Sequence, residues 1–232
     1  MRHTLLVATT NTHKLGELRQ LLADLPLDLI APTDVWRAPP TVVEDGVTFA
    51  ENARKKAVSL ARASGLLTLA DDSGLEVDAL GGAPGVRSAR YAHERATDGE
   101  NRAALLAALD ALGMDDPISI RNVGPESFAG KAGSELTARF RCSLALVDPM
   151  AEMSVYEADG TCEGSITRTG RGAGGFGYDP LFVVVGGTRT MAELSHEEKN
   201  AVSHRGRAIV AMRPHLAHVV AARAERVARL FA

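Results

Sequence analysis

The first part of the chain divides into short apolar runs and amphipathic stretches. Residues 4–9 form an apolar run that predicts a buried strand, and residues 27–30 predict a second strand. Between the two runs, four leucines recur at the spacing of one helix face: Leu15, Leu18, Leu22 and Leu25. The chain is therefore predicted to open with a strand, a polar turn, a helix and another strand.

Three later helices are predicted from their first residues. Each begins with a hydroxyl residue followed three positions later by glutamate, the pattern of a capping box: Thr48 with Glu51, Thr97 with Glu100, and Ser195 with Glu198. The first of these helices should run to Ser64 and stop at Gly65. The apolar positions within 209–220 predict a C-terminal helix in which Pro214 marks a new first turn.

Alternating apolar residues predict several strands in the second half of the chain. Residues 136–146 alternate clearly, and residues 154–156 and 162–166 predict two further strands of an antiparallel meander. Residues 181–185 predict one more strand. Before these strands, residues 114–135 are rich in Gly, Pro, Ser and charge, which predicts a long, mobile surface loop.

Two adjacent aspartates provide the main candidate for chemistry. Asp71 and Asp72 follow an apolar run, and Ser73 with Gly74 then allows a sharp turn before an alternating strand resumes. Neighbouring carboxylates are costly unless a cation or a proton lies between them. Solvated aspartates in a loop are the simpler interpretation, but the position between two apolar strands favours a divalent metal that serves phosphate chemistry.

Two charged residues can come near these aspartates. Glu44 lies just before the helix that Thr48 opens, and Lys56 lies within that helix. Most of the helix's polar face should be solvated. The chain geometry nevertheless permits Glu44 and Lys56 to converge with Asp71 and Asp72.

The polar turn after the first strand can bind an anion. A strand-to-helix junction directs free backbone N–H groups and the positive helix end outward, and Lys14 adds a cation there. Simple N-capping by Asn11 or Thr12 explains the same residues equally well, and the two interpretations are compatible. A literal dinucleotide-binding pattern at residues 170–175 is rejected, because a strand rather than a helix is predicted after it.

Composition limits the classes of partner. The 232 residues are 45% hydrophobic and 24% charged, as in an ordinary soluble domain, and no apolar run is long enough for a membrane span. With no signal-peptide pattern, a cytoplasmic location is expected. The formal net charge of −3 argues against a nucleic-acid polymer as partner. Cys142 and Cys162 lack metal-site spacing and are assigned no chemistry.

Six ordered motifs give the chain a resemblance to a known family. They are T-x-N-x-x-K from Thr9, F-x-E-N-A from Phe49, L-A-D-D-S-G-L from Leu69, G-G-x-P-G-x-x-S-A-R-Y from Gly81, G-F-G-Y-D-P from Gly175 and E-K-N-x-x-S-H-R-G from Glu198. Together they resemble the inosine triphosphate pyrophosphatase family, whose members hydrolyse non-standard purine nucleoside triphosphates such as ITP, dITP and XTP to the monophosphate and pyrophosphate.

The resemblance covers nearly the whole chain and implies one α/β domain over residues 1–232. Its expected form has two lobes around a long central mixed β-sheet flanked by helices, with the active-site cleft between the lobes. The resemblance also implies Mg²⁺ as cofactor and a homodimer. Residues 114–135 look longer than the family's usual connection.

The resemblance also implies roles for individual residues. The phosphates would be held by Thr9, Thr10, Asn11, Thr12, His13, Lys14 and Lys56. Glu44 and Asp72 would bind the metal with Asp71 nearby, Asp72 would accept the proton, and Ser73 would contact the substrate. The base would be surrounded by Phe176, Gly177, Tyr178, Asp179, Lys199, His204 and Arg205.

Two other functions remain as alternatives. One is a Maf-type pyrophosphatase that acts on modified pyrimidine nucleotides, against which the purine-pocket motif at Ser203, His204 and Arg205 argues. The other is a module that binds a nucleotide without turnover. The intact Asp71 and Asp72 pair disfavours such a module, because a sensor need not retain a base.

Overall fold

The computed structural model describes residues 2–113 and 136–230. Its six strands are β1 (His3–Val7), β2 (Leu27–Ile30), β3 (Leu67–Val77), β4 (Thr137–Asp148), β5 (Ser154–Ile166) and β6 (Phe182–Val184). Its six α-helices are α1 (Thr12–Leu21), α2 (Pro32–Val35), α3 (Phe49–Ser64), α4 (Asp98–Ala111), α5 (His196–Val202) and α6 (His204–Leu230). The loop predicted at residues 114–135 lies outside the described residues.

The strands form one mixed sheet in the order β2-β1-β3-β4-β5-β6. Strand β1 pairs in parallel with β2 and with β3, as expected for strands joined through helices, whereas β5 and β6 pair in antiparallel fashion. This sheet, flanked by helices, confirms the predicted α/β class with a mixed sheet. No helix within the described residues is long and apolar enough to cross a membrane.

Local sequence signals account for most helix ends. Each of the three predicted hydroxyl residues caps its helix by accepting a backbone N–H three positions on, so α3, α4 and α5 begin where predicted. Helix α3 ends at Gly65, whose φ of 70° places it in the left-handed region. These caps need only neighbouring residues, which explains why the pattern predicted them.

The predicted break at Ser73 and Gly74 is wrong. Strand β3 runs without interruption through both aspartates. Because successive strand residues point to opposite faces of a sheet, Asp71 and Asp72 project in opposite directions. Their charges are therefore separated by the strand itself, and no turn is needed to relieve their repulsion.

Residues 154–166 form one strand, not the two that were predicted. Gly160 lies at its centre, where it allows a close approach to α6. A Cβ atom at this position would lie 2.1 Å from the backbone oxygen of His204 and 2.3 Å from the amide nitrogen of Ala208. The glycine serves close packing rather than a turn.

Pro214 lies inside α6, so the prediction that it starts a new helix is wrong. Ile209 and Met212 before the proline, and Leu216 and Val219 after it, are buried in the same apolar cluster. Burial on both sides favours one continuous helix despite the hydrogen bond that an interior proline removes.

The chain divides into two compact units. Unit 1 comprises Met1–Asp72, Cys142–Gly160 and His204–Ala232, and unit 2 comprises Ser73–Arg141 and Thr161–Ser203. Unit 1 has apolar clusters on both faces of its strands, one with α1 and α6 and the other with α3, whereas unit 2 is built around a cluster that includes α4. The single domain over residues 1–232 stays a prediction.

Candidate active site

The alternation of β3 gives the two aspartates of unit 1 different neighbours. Leu67 and Leu69 pack with α1 and α6, and Asp71, two residues further on, continues that face. Ala70 packs with α3, and Asp72 continues the opposite face. Each carboxylate therefore meets the charged residues of a different set of helices.

Asp71 is the centre of a buried ionic cluster. Its side chain is fully buried, and it accepts hydrogen bonds from Lys14 Nζ at 2.5 Å, Arg205 Nε at 2.9 Å and the Cys142 thiol at 3.0 Å. Arg205 also pairs with Glu17 of α1. We call Lys14, Glu17, Asp71, Cys142 and Arg205 the Asp71 cluster.

The cluster keeps Asp71 ionised. Although burial opposes ionisation, the positive charges of Arg205 and Lys14 hold the pKa of Asp71 well below its usual range. Burial raises the pKa of the Cys142 thiol well above its usual range, with the Asp71 charge adding to the effect. The thiol therefore stays protonated and acts as a hydrogen-bond donor.

Asp72 belongs to a second group of charges on the other face. Lys56 Nζ donates to Asp72 at 2.8 Å, to Glu44 at 2.9 Å and to the backbone oxygen of Asp71 at 2.8 Å. One ammonium group thus brings together the two carboxylates predicted to hold the metal. The Asp72 side chain is 12% exposed and that of Glu44 is 35% exposed, so both are more accessible than Asp71.

Asp72 and Glu44 differ in their electrostatics. Burial raises the pKa of Asp72, and the negative charge of Glu44 adds to this, while Lys56 opposes it. For Glu44 burial also acts to raise the pKa, but the Lys56 charge outweighs it and lowers the pKa. A carboxylate with a raised pKa is a better proton acceptor than an ordinary one, which suits Asp72 to general-base chemistry.

The donor set fits a magnesium ion with few protein ligands. Across the described residues, no three His, Cys, Asp or Glu side chains are grouped so that they could hold a metal ion. Mg²⁺, however, usually takes one or two carboxylates and fills its shell with water and substrate phosphate oxygens. Glu44 and Asp72 meet that requirement, whereas the oxygens of Asp71 already accept from Lys14, Arg205 and Cys142.

The turn before α1 is organised by Asn11. The Asn11 side chain accepts from the amides of His13 at 2.9 Å and Lys14 at 3.2 Å, and the Asn11 amide donates to Thr9 Oγ1 at 3.1 Å. Thr10, Asn11, Thr12 and His13 are exposed, and Thr9 is partly exposed. N-capping by Asn11 is thus confirmed, while phosphate binding by this turn stays a prediction.

Unit 2 brings together three of the residues predicted to bind the base. Lys199 Nζ donates to Asp179 at 2.6 Å and lies 4.7 Å from the centre of the Phe176 ring. The Lys199 and Asp179 side chains are each only 5% exposed. Asp179 also accepts from the Phe176 amide at 2.9 Å, which ties the aromatic residue to the ion pair.

The remaining predicted residues are distributed over both units. Ser73 is partly buried on β3, and Gly177 and Tyr178 lie between Phe176 and Asp179 in unit 2. Residues His204 and Arg205 belong to unit 1, where both side chains are buried. The structure pairs Arg205 with Asp71 and Glu17.

The sequence matches the profile of the Ham1 family over residues 5–215. The chain belongs to the Ham1 family. This Ham1 match spans both carboxylate groups of unit 1 and the Phe176 contacts of unit 2.

Two curated relatives of this Ham1 chain have the same name. A protein of Anaeromyxobacter sp. named dITP/XTP pyrophosphatase is 47% identical over 211 residues, which cover 87% of this chain and 91% of that protein. A protein of Geobacter sulfurreducens with the same name is 47% identical over 212 residues, covering 91% and 96%. The family predicted from the six motifs is thereby confirmed.

Solved Ham1 structures share the fold. A HAM1 protein from Coxiella burnetii is 40% identical and superposes with a TM-score of 0.76, covering 94% of this chain and 100% of that one. A nucleoside-triphosphatase, dITP/XTP pyrophosphatase, from Mycobacterium abscessus is 42% identical with a TM-score of 0.66, covering 91% and 99%.

Sequence reasoning missed two members of the Asp71 cluster in this Ham1 chain. Glu17 lies between Leu15 and Leu18, which are buried. A carboxylate among buried leucines needs a cationic partner, so this position was a signal that sequence reasoning could have used. Cys142 gave no such signal, because a lone buried cysteine in a strand is ordinary. Its contact with Asp71 became visible only in the structure.

Proposed function

We propose that this chain hydrolyses non-standard purine nucleoside triphosphates, namely ITP, dITP and XTP, to the nucleoside monophosphate and pyrophosphate. The observation that carries the proposal is the convergence of Glu44, Lys56 and Asp72 in a chain of the Ham1 family. The relatives named dITP/XTP pyrophosphatase support the choice of substrate. Removing such nucleotides would cleanse the nucleotide pool.

The triphosphate would be bound by the cations of unit 1. In this proposal Lys56 binds phosphate oxygens, and the turn from Thr9 to Lys14 contributes its polar groups at the start of α1. Glu44 and Asp72 hold Mg²⁺, which neutralises charge on the phosphate oxygens when it is bound. Asp71 is left out of the metal site because its oxygens are engaged inside the Asp71 cluster.

Asp72 would accept the proton of the attacking water at the α-phosphorus, which releases pyrophosphate. Its raised pKa and its partial exposure support this role. Ser73, the next residue on β3, would contact the substrate. The Asp71 cluster would act indirectly, by fixing the strand from which Asp72 projects.

The base would be recognised by hydrogen-bond donors. Lysine and arginine only donate, which suits the 6-oxo acceptor of hypoxanthine or xanthine and mismatches the 6-amino group of adenine. In this proposal Lys199 is the principal donor, with Phe176 offering a ring face and with Gly177, Tyr178 and Asp179 shaping the turn. His204 and Arg205 are also assigned to the base by resemblance, but the bonds of Arg205 with Asp71 and Glu17 favour a supporting role.

A nucleotide panel with Mg²⁺ tests the proposal, with orthophosphate and pyrophosphate assayed separately. ITP, dITP and XTP should each yield pyrophosphate, and ATP should be disfavoured by about 10⁴-fold in kcat/KM, because a mismatched base leaves buried polar groups unpaired. Preference for a modified pyrimidine nucleotide would favour the Maf-type alternative. Tight binding of ITP without any product would favour the nucleotide-binding module.

The proposed assembly is a homodimer in the cytoplasm, with no nucleic-acid polymer as partner. The family resemblance supports the dimer, and the net charge of −3 gives no general attraction to a polyanion. Sedimentation equilibrium of the purified chain tests the dimer directly. A monomer at micromolar concentration would refute it.

A further inference from the structure

Helix α4 binds both backbone polar groups of one residue, Gly177, in unit 2. The Gly177 amide donates to Asp98 Oδ2 at 2.7 Å, and the Gly177 carbonyl accepts from Arg102 Nη1 at 2.6 Å. Asp98 and Arg102 are four residues apart on α4, so their side chains share one face of the helix. A carboxylate and a guanidinium make stronger hydrogen bonds than neutral groups do.

The segment that these bonds hold contains the proposed base-contacting residues. We call residues 175–179 the Phe176 turn. Gly175 and Gly177, on either side of Phe176, have φ values of 69° and 59°, a region that glycine enters without penalty and leaves as easily. The backbone on both sides of Phe176 would therefore be loose without external restraint.

Other contacts restrain the Phe176 turn at residues other than Gly177. Lys199 donates to Asp179 and lies over the Phe176 ring, and the Asp179 amide donates to the Phe176 carbonyl at 3.2 Å. The Asp179 carboxylate accepts from the Phe176 amide, and the Tyr178 hydroxyl donates to the Ser88 carbonyl at 2.9 Å. Asp98 and Arg102 add a restraint on the Gly177 backbone. Since Gly177 follows Phe176 directly, these two bonds help to fix the direction in which the chain leaves Phe176.

We propose that Asp98 and Arg102 are positioning residues for nucleotide recognition, because they hold the amide and the carbonyl of Gly177 and thereby orient Phe176 toward the base. The inference rests on the proposed function, in which Phe176 contacts the purine. It assigns to α4 a role in binding the nucleoside end of the substrate. Asp98 and Arg102 bind the Gly177 backbone within unit 2, whereas the residues assigned to the phosphates and the metal belong to unit 1, so phosphate binding and the chemical step should not depend on this pair.

The inhibition constants of IMP and pyrophosphate measure binding at the nucleoside end and at the phosphate end of the substrate separately. With Asp98→Ala and with Arg102→Met, which keeps the apolar stem, the KM for ITP and the inhibition constant of IMP should each rise about tenfold, the equivalent of about 1.4 kcal/mol. The inhibition constant of pyrophosphate should stay within about twofold and kcat within about threefold, because the pyrophosphate site and the carboxylates are untouched. Asp98→Asn retains an acceptor oxygen for the Gly177 amide and should recover most of the IMP binding.

Asp110→Ala is the matched control. Asp110 lies on the same helix and pairs with Arg168, away from the Phe176 turn, so its replacement removes an ion pair of α4 without changing the restraint on Gly177. Its IMP and pyrophosphate constants should equal those of the wild type. Thermal unfolding of each variant shows whether the fold is retained.

Two results would overturn the inference. One is an unchanged IMP constant in the double variant Asp98→Ala with Arg102→Met. The other is an equal rise in the IMP and pyrophosphate constants, which would indicate general loosening of the chain. Failure of the proposed function would look different, because the wild type itself would then not convert ITP to IMP and pyrophosphate.

Discussion

Replacing Asp71 by asparagine should destabilise the protein, whereas the same change at Asp72 should not. The two pKa shifts have opposite signs, and so do their contributions to stability. A carboxylate whose pKa is lowered on folding stabilises the native state when ionised, and one whose pKa is raised destabilises it. Asp71→Asn removes a stabilising charge, and Asp72→Asn removes an unfavourable one.

The size of each stability change depends on which hydrogen bonds and ion pairs remain after the substitution. Breaking a buried ion pair by removing one partner costs about 3–5 kcal/mol. Asp71→Asn belongs near the lower end, about 3 kcal/mol, because the amide keeps one acceptor and Arg205 keeps Glu17. For a chain of this length, that corresponds to a fall in Tm of about 6–12 °C. After Asp72→Asn, Lys56 keeps Glu44 and the Asp71 carbonyl, so Tm should stay level or rise.

Urea unfolding at pH 7, with Tm measured in parallel, tests both variants, and ITP turnover is assayed on the same samples. Asp72→Asn should lose turnover while keeping its fold. The Asp71 contribution is complete above the unfolded pKa of about 3.9 and is lost only as the pH falls through the much lower folded value, so Asp71→Asn should remain destabilised at pH 5. Equal stability losses for the two variants would refute the opposite contributions of Asp71 and Asp72 to stability, and near-wild-type turnover of Asp72→Asn would refute its assigned role.

Three further predictions follow from individual contacts. Because burial raises its pKa, Cys142 should resist iodoacetamide at pH 8 in the folded protein, as judged by mass spectrometry, and rapid alkylation would contradict its burial against Asp71. Gly175→Ala should raise the KM for ITP at least tenfold, since a Cβ would lie 2.0 Å from Asp179 Oδ2. An unchanged KM would show that the Phe176 turn does not bind the nucleotide. In a double-mutant cycle, the double variant Arg205→Met with Asp71→Asn should lose about 1–3 kcal/mol less unfolding free energy than the sum of the two single variants' losses. If the two losses simply add, the pair is not coupled.

The elements that sequence reasoning predicted well depend on neighbouring residues. The helices opened by Thr48, Thr97 and Ser195 begin where their capping boxes place them, because a cap is completed within four residues. Strand β2 also has the predicted bounds.

The wrong predictions arose where distant packing overrides a local signal. Ser73 and Gly74 suggested a turn, and residues 154–166 suggested two strands, yet both segments lie within continuous strands, and Gly160 in the second allows the close approach of α6. Pro214 suggested a helix start, yet apolar residues on both sides bury α6 in one cluster. At Gly160 and at Pro214 the contacts that determine the structure come from residues distant in the sequence, and the local hydrophobic pattern does not reveal them.

In the candidate site, too, some contacts were predicted from the sequence and others depend on distant packing. Glu44, Lys56 and Asp72 were predicted to converge, and the structure brings them together through the Lys56 ammonium group. The bonds of Arg205 were not predicted: the one to Asp71 joins residues 134 positions apart and the one to Glu17 joins residues 188 apart, while its assignment to the base stays a prediction. Such pairings depend on the arrangement of α1, β3 and α6, which a linear pattern does not contain.

Hydrolysis of ITP in ¹⁸O-labelled water, followed by mass spectrometry of both products, tests the central claim most directly. The account places the attacking water at the α-phosphorus, with Asp72 accepting its proton and pyrophosphate leaving. One ¹⁸O atom should therefore appear in IMP and none in the pyrophosphate. Label in pyrophosphate, or release of labelled orthophosphate in place of pyrophosphate, would show attack at a different phosphorus and would contradict the proposed reaction.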